Sequence, residues 1–110
     1  MNNYGKGNTK IVNTGSKGVK INGKSENHNG DYAIQNKNGD LVITGNLGNR
    51  NGTMRLSNNG NTLDVKKDAN IYNSNDLLII NTGKGGMQLN GSIENSRNAY
   101  VWNTAGGLNL

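Results

Sequence analysis

The chain has no cysteine, no proline and no phenylalanine, and four tyrosines and one tryptophan supply all of its aromatic rings. Without cysteine there is no disulfide framework, no thiolate metal site and no cysteine nucleophile. No run of about 18 apolar residues is present to cross a bilayer as a helix, so membrane insertion by this segment is not expected. The opening residues do not read as a secretory leader. Residues 1–8, "MNNYGKGN", read as a poorly patterned lead or the edge of an excised segment. Apolar residues other than glycine are scarce too, at 31% of the chain. Poverty of that kind points toward disorder, because burial must offset about 1–2 kcal/mol of backbone entropy per ordered residue. The lack of proline and a charged fraction of only 17% point the other way. The net charge of +5 is scattered along the chain rather than clustered. That describes a solvated surface and not a nucleic-acid groove.

What the chain does have is asparagine and glycine, 24 and 17 residues respectively. Both tolerate turn conformations, so many turns between very short strands are expected. One stretch is nearly duplicated: "NTGSKGVKING" at 13–23 and "NTGKGGMQLNG" at 81–91. The copies share the opening Asn-Thr-Gly, the middle Gly and the closing Asn-Gly.

The duplication belongs to a longer periodicity. The pairs Val19/Ile21, Leu41/Ile43, Leu63/Val65, Met87/Leu89 and Leu108/Leu110 advance by 22, 22, 24 and 21 residues. A second column reads Val12, Ile34, Leu56, Ile80 and Trp102, each preceded two residues earlier by Lys10, Tyr32, Met54, Leu78 and Tyr100. A third reads Ser25, Leu47, Ile71 and Ile93. Polar columns keep the same phase: Asn13, Gln35, Ser57, Asn81 and Asn103, and Asn27, Asn49, Asn73 and Asn95. The step of 24 is assigned to an enlarged turn, "KKDAN", between Val65 and Ile71.

Alternation within each copy places every apolar pair on one face of a short strand. Repeats of this length that cannot bury a face alone must stack on one another. The spacing and the glycine content exclude a helix. The expected fold is therefore all-β. It is a parallel β-solenoid of about five coils, each of about 22 residues and three short strands, over residues 9–110. Stacked amides would then form asparagine ladders of the cross-β kind. A narrow core needs few apolar residues per coil, which resolves the composition.

Chemistry-bearing patterns are weak. The glycine-rich "NTGKGGM" lacks P-loop spacing and has no following helix to supply a dipole. Asp31, Asp40, Asp64, Asp68 and Asp76 fall at scattered phases, unlike calcium-binding repeats. His28 stands in "ENHNG" near Glu26 and reads as an exposed turn histidine, not an acid or base. The sequons at Asn51-Gly52-Thr53 and Asn90-Gly91-Ser92 read as turns. No catalytic, cofactor-binding or metal-binding residue is assigned, and no cofactor is expected.

The unit apolar-x-apolar-Asn-x-Gly, apolar-x-apolar-Asn-Gly, apolar-x-Asn is carried most clearly by "GVKINGKSENHNG", "DLVITGNLGNRNG" and "GGMQLNGSIENSR". It resembles the repeats of filamentous-haemagglutinin-like exoproteins exported by two-partner secretion, of the adhesin and leukotoxin types. The Asn/Lys/Ile-rich wording is similar to fusobacterial leukotoxin repeats. The resemblance covers residues 9–110 and implies a right-handed β-helix, secretion to the medium or the bacterial cell surface, and a role in cell adhesion or virulence. It further implies an outer-membrane secretion partner for the parent protein and contacts with a host cell-surface receptor or glycan. The family's secretion-domain signature is not present in this sequence, so an interior shaft segment is expected. Its surface turns would be displayed for host-cell or antibody contact. A carbohydrate-active or phage tail-spike-type β-helix is the alternative. Uncapped end coils lead to an expectation of end-to-end self-association.

Overall fold

A computed structural model describes the backbone of residues 2–109 and the side chains of residues 7–109. The chain enters through β1 (Asn2–Lys6). It then winds through β2 (Thr9–Asn13), β3 (Val19–Ile21) and β4 (Lys24–Asn29), and next through β5 (Tyr32–Asn36), β6 (Leu41–Ile43) and β7 (Asn46–Asn49). The following coils hold β8 (Met54–Asn58), β9 (Thr62–Val65) and β10 (Asn70–Asn73), then β11 (Leu77–Asn81), β12 (Gly86–Leu89) and β13 (Ser92–Asn95). The last described coil supplies β14 (Ala99–Asn103) and β15 (Leu108–Asn109). Among the described residues there is no helix.

Every third strand joins the same sheet. The first sheet runs β1-β4-β7-β10-β13, the second β2-β5-β8-β11-β14 and the third β3-β6-β9-β12-β15. All strand pairs within them are parallel. The expected β-solenoid is the observed fold. Residues 2–6 of the lead take part in it, because β1 pairs with β4.

Alternate residues point into a narrow core. Leu41, Ile43, Leu63, Val65 and Met87 enter from the third sheet, Leu47 and Ile71 from the first, and Tyr32, Ile34, Met54, Leu56, Leu77 and Ile79 from the second. All are buried, each contributing about 1.5–3 kcal/mol of hydrophobic stabilisation for a large side chain. The third-sheet pairs and the column Ser25, Leu47, Ile71 and Ile93 stack as the periodicity predicts. Leu110, the last member of the paired column, lies outside the described residues.

The second sheet corrects the sequence reading by one residue in several coils. The stacked inward residues are Thr9, Tyr32, Met54, Leu77 and Ala99, then Ile11, Ile34, Leu56, Ile79 and Val101. Lys10, Val12, Leu78, Ile80, Tyr100 and Trp102, expected in the inward columns, therefore point outward. A one-residue slip exchanges the two faces of a strand. The polar column is likewise Asn13, Asn36, Asn58, Asn81 and Asn103, not one containing Gln35 and Ser57. Turn length is the cause. From that asparagine to the next apolar residue the chain takes six steps in the first and fourth coils (Asn13 to Val19, Asn81 to Met87) and five in the others. The "KKDAN" insertion is real, but the second-sheet strand after it advances by 23 residues, not 24.

The duplicated stretch is this longer turn. In the first copy Asn13 Nδ2 donates to Gly15 O (2.8 Å) and Asn13 Oδ1 accepts from Gly15 N (3.2 Å). In the second, Asn81 does the same with Gly83 at 3.0 and 3.2 Å. The turns close through Gly18 N to Gly15 O and Gly86 N to Gly83 O, at 3.4 and 3.2 Å. Gly18 and Gly86 have φ of +83° and +85°, a region that favours glycine. A Cβ at either would also lie 2.2 Å from Asp40 O or 2.4 Å from Gly107 O in the coil above.

Two asparagine ladders run the length of the solenoid. Along the second sheet, Asn13, Asn36, Asn58 and Asn81 each donate Nδ2 to the Oδ1 one coil further on, at 2.9, 2.9, 2.8 and 2.8 Å, ending on Asn103. Along the first sheet, Asn27, Asn49 and Asn73 do so at 2.9, 3.1 and 3.0 Å, ending on Asn95. Six of these amides are fully buried, where an unpaired polar group costs about 1–3 kcal/mol. Placing asparagine there in every coil removes that cost and fixes the stacking register.

Candidate functional site

With the amides committed to the interior, the side chains available to a partner are those on the outer faces. The second sheet has the most distinctive one. Its outward columns are Lys10, Ala33, Arg55, Leu78 and Tyr100, and Val12, Gln35, Ser57, Ile80 and Trp102. Toward the N-terminal end this face holds a groove of about 430 Å³. Ala33 is small between the longer Lys10 and Arg55, so the groove opens over it, with Gln35, Ser57 and Asp31 along its sides. Among the described residues, Lys10 and Arg55 form no ion pair. Toward the C-terminal end the same columns become apolar and aromatic, and Tyr100 and Trp102 are 55% and 66% exposed. Cationic and amide groups at one end of the face suit hydrogen bonding, and the aromatic groups at the other end, beyond Leu78 and Ile80, suit ring stacking.

The sequence reading assigns none of these residues a role. For Lys10, Tyr100 and Trp102 the register slip is the reason, since it sets them facing inward. The signal that locates them correctly is the asparagine closing every second-sheet strand, because inward residues stand two and four positions before it.

A second cluster lies on the outer face of the first sheet. His28 is a half-buried member of β4 and not an exposed turn residue. Its Nε2 lies 3.0 Å from Glu26 Oε2, while Lys24 Nζ lies 2.8 Å from Glu26 Oε1. Hydrogen bonding from Lys24, and then from His28, lowers the Glu26 pKa from its ordinary 4.5 to about 2. A carboxylate held so firmly ionised is a poor proton acceptor near neutral pH. Gly48 and Tyr72 leave only a cleft of about 40 Å³ beside it. The cluster braces the strand surface.

Four of the five aspartates are engaged between or within coils. Asp31 Oδ1 accepts from Thr53 N at 2.9 Å, and Asp40 Oδ1 from Thr62 N at 3.0 Å. Asp76 Oδ1 accepts from Asn98 Nδ2 at 3.3 Å, and Asp64 Oδ2 pairs with Lys66 Nζ at 2.6 Å. Among the described residues no three of His, Cys, Asp or Glu gather as a metal-ligating group. Of the two sequon asparagines, Asn51 adopts φ of +62° and its Nδ2 donates to His28 O and Asn29 Oδ1 in the coil below.

Comparison with protein-family models, with curated proteins and with solved structures gave no match to this chain.

Proposed function

We propose that this chain is a non-enzymatic structural and display segment of a large secreted bacterial adhesin or toxin of the two-partner-secretion kind. The carrying observation is how its polar groups are used. Two continuous amide ladders and the aspartates that cap neighbouring coils engage much of the polar inventory in stacking one coil on the next. Each coil templates its successor, which is the requirement of a shaft. The outer face of the second sheet, with Lys10, Arg55, Tyr100 and Trp102, is the surface offered to a host-cell receptor or glycan. Fold alone does not specify such a role; the support is this division between an inward structural set and an outward contact set.

Binding of the fluorescently labelled chain to cultured epithelial cells and to an immobilised glycan panel tests the proposal. Binding that falls at least about fivefold in Lys10→Ala/Arg55→Ala or in Trp102→Ala supports it, as contact energy concentrates in arginine and aromatic anchors. Wild-type binding in both variants removes this face from the reading. The groove favours one alternative, a fragment of a carbohydrate-active β-helix. Cleavage of any panel glycan, lost in Asp31→Asn, would establish that alternative in place of an inert shaft.

A further inference from the structure

The groove on the outer face of the second sheet has a floor and two walls of unlike chemistry. Ala33 lies between Lys10 and Arg55, its register partners in the two adjoining strands. Neighbouring strands stand about 4.8 Å apart, so the two cations rise from backbone positions about 10 Å apart. Only a methyl group stands between them. Gln35 and Ser57 follow two residues further along β5 and β8 and therefore share that face. They add an amide and a hydroxyl to the donors along the groove. Floor and walls come from three successive coils, and the groove opens sideways, across the direction in which coils stack.

Charge in the groove is unbalanced. Elsewhere on the surface Lys24 meets Glu26 at 2.8 Å and Lys66 meets Asp64 at 2.6 Å. Lys10 and Arg55 have no such partner among the described residues. Asp31, the acid lining the groove, is held by the fold instead. Its Oδ1 accepts from Thr53 N at 2.9 Å, and its own N–H donates to Asn8 Oδ1 at 2.8 Å. Two cations thus face one carboxylate, and one positive charge is left for a ligand to answer. Asp31 stands just before β5, at the opposite end of the groove from Gln35, where a carboxylate can accept from hydroxyl groups.

This set of groups matches a particular kind of molecule. A guanidinium fork takes a planar carboxylate through two parallel N–H bonds, and a lysine adds a point charge beside it. The alanine methyl gives an apolar floor for the C–H face of a sugar ring. Gln35, Ser57 and Asp31 surround it with donors and an acceptor for ring hydroxyls. The volume, about 430 Å³, falls within the range of about 300–1,000 Å³ for small-molecule sites.

The geometry points to a sugar acid as the occupant of the groove over Ala33. Its carboxylate lies between Lys10 and Arg55, and its hydroxyls face Gln35, Ser57 and Asp31. The inference rests on the reading of this face as a contact surface, and it narrows the glycan offered there to one that carries a carboxylate.

The test is a heteronuclear NMR titration of the whole chain in about 150 mM salt, which screens exposed charges beyond about 8 Å. Digalacturonate and sialyllactose are the acidic probes, lactose is the neutral one, and inorganic sulfate is the bare anion. The parent is compared with Arg55→Lys and Ala33→Leu. Both positions face outward, so each variant is expected to keep the parental amide spectrum away from the groove. At least one acid is expected to give saturable shifts at the amides of Ala33, Gln35 and Arg55. Lactose should bind at least about tenfold more weakly, since it leaves out a charge-assisted hydrogen bond. Arg55→Lys should weaken the acid about fivefold or more, because an ammonium keeps the charge but loses the fork. Ala33→Leu should weaken it further, by filling the groove while both cations remain. Should that variant misfold, Ala33→Val takes its place, valine being favoured in strands.

Four results overturn the inference: no shifts with either acid, lactose binding as tightly, sulfate binding as tightly, or acid binding untouched by a filled groove. The reading of the whole face has a separate fate. If neither acid binds while the labelled chain still holds cells through Lys10 and Arg55, the sugar-acid site falls and the display role stands. A chain that binds neither cells nor any glycan loses both.

Discussion

Tyr32 Oη and Ser25 Oγ lie 2.6 Å apart inside the solenoid, both buried. Ser25 occupies the column filled by Leu47 and Ile71 in the coils above. The tyrosine ring takes the room that a leucine would use there, and the serine hydroxyl answers the phenol. Burial raises the Tyr32 pKa, opposed in part by the hydrogen bond from Ser25. The pair is a local exchange of shape and polarity within a repeating core.

Removing both members of that pair should cost less than the two separate losses added together. Tyr32→Phe or Ser25→Ala each leaves a buried hydroxyl unanswered and is expected to lose about 1–3 kcal/mol. The double variant is expected to lose less than the two singles together. Guanidinium unfolding of the four proteins closes this double-mutant cycle, and strict additivity would show that the contact is not a working hydrogen bond.

The ladder makes Asn58 more than a space-filling residue. It accepts from Asn36 and donates to Asn81, and it is fully buried. Asn58→Ala should destabilise by about 2–4 kcal/mol, because groups in two neighbouring coils lose partners. Asn58→Asp should be worse at neutral pH, since a carboxylate cannot donate to Asn81 and its charge is buried. Part of that loss should return as the pH falls and the acid becomes neutral. Melting temperatures across pH 3–7 separate the variants.

Turn geometry predicts a contrast between two glycines. Gly86 combines φ of +85° with a coil above it that leaves no room for a Cβ, whereas a Cβ at Gly107 meets no atom within 4 Å. Gly86→Ala is expected to lose more than about 2 kcal/mol, and Gly107→Ala to remain near the parent. Equal stability of the two variants would remove the steric reading of the duplicated turn.

Glu26 gives the acidic side of the stability profile. Its pKa falls from 4.5 in the unfolded chain to about 2 in the fold, chiefly through Lys24 and then His28. The folded state therefore favours the ionised form, and the associated stability is fully present above about pH 4.5. It is lost as the pH falls from there through about 2. Glu26→Gln should melt below the parent at neutral pH by a small margin, because the group is partly exposed to solvent. That margin should shrink to nothing toward pH 2. A difference that stays constant with pH would assign the effect to packing.

Period and strand alternation were legible in the sequence because a solenoid repeats its inward columns along the chain at nearly constant intervals. The third-sheet pairs and the Asn27, Asn49, Asn73 and Asn95 ladder could be read directly. In the second sheet hydrophobicity alone gives two acceptable phases for "KIVN", "LLIIN" and "YVWN", and so sets Lys10, Val12, Ile80 and Trp102 on the wrong face. In each segment apolar residues are adjacent, so alternation does not choose between the phases. Hydrogen bonding does choose: only the register that ends each strand on a buried asparagine satisfies the ladder.

The sequence by itself thus determined that the chain coils, how often, and that its core is thin. Tertiary structure alone decided which face of the second sheet is inside, since that depends on the length of a turn and on bonds to residues 22 or 23 positions away. It also decided which residues are outward and available, and it gave the stack a direction, because an amide ladder has a donor end and an acceptor end that composition cannot reveal.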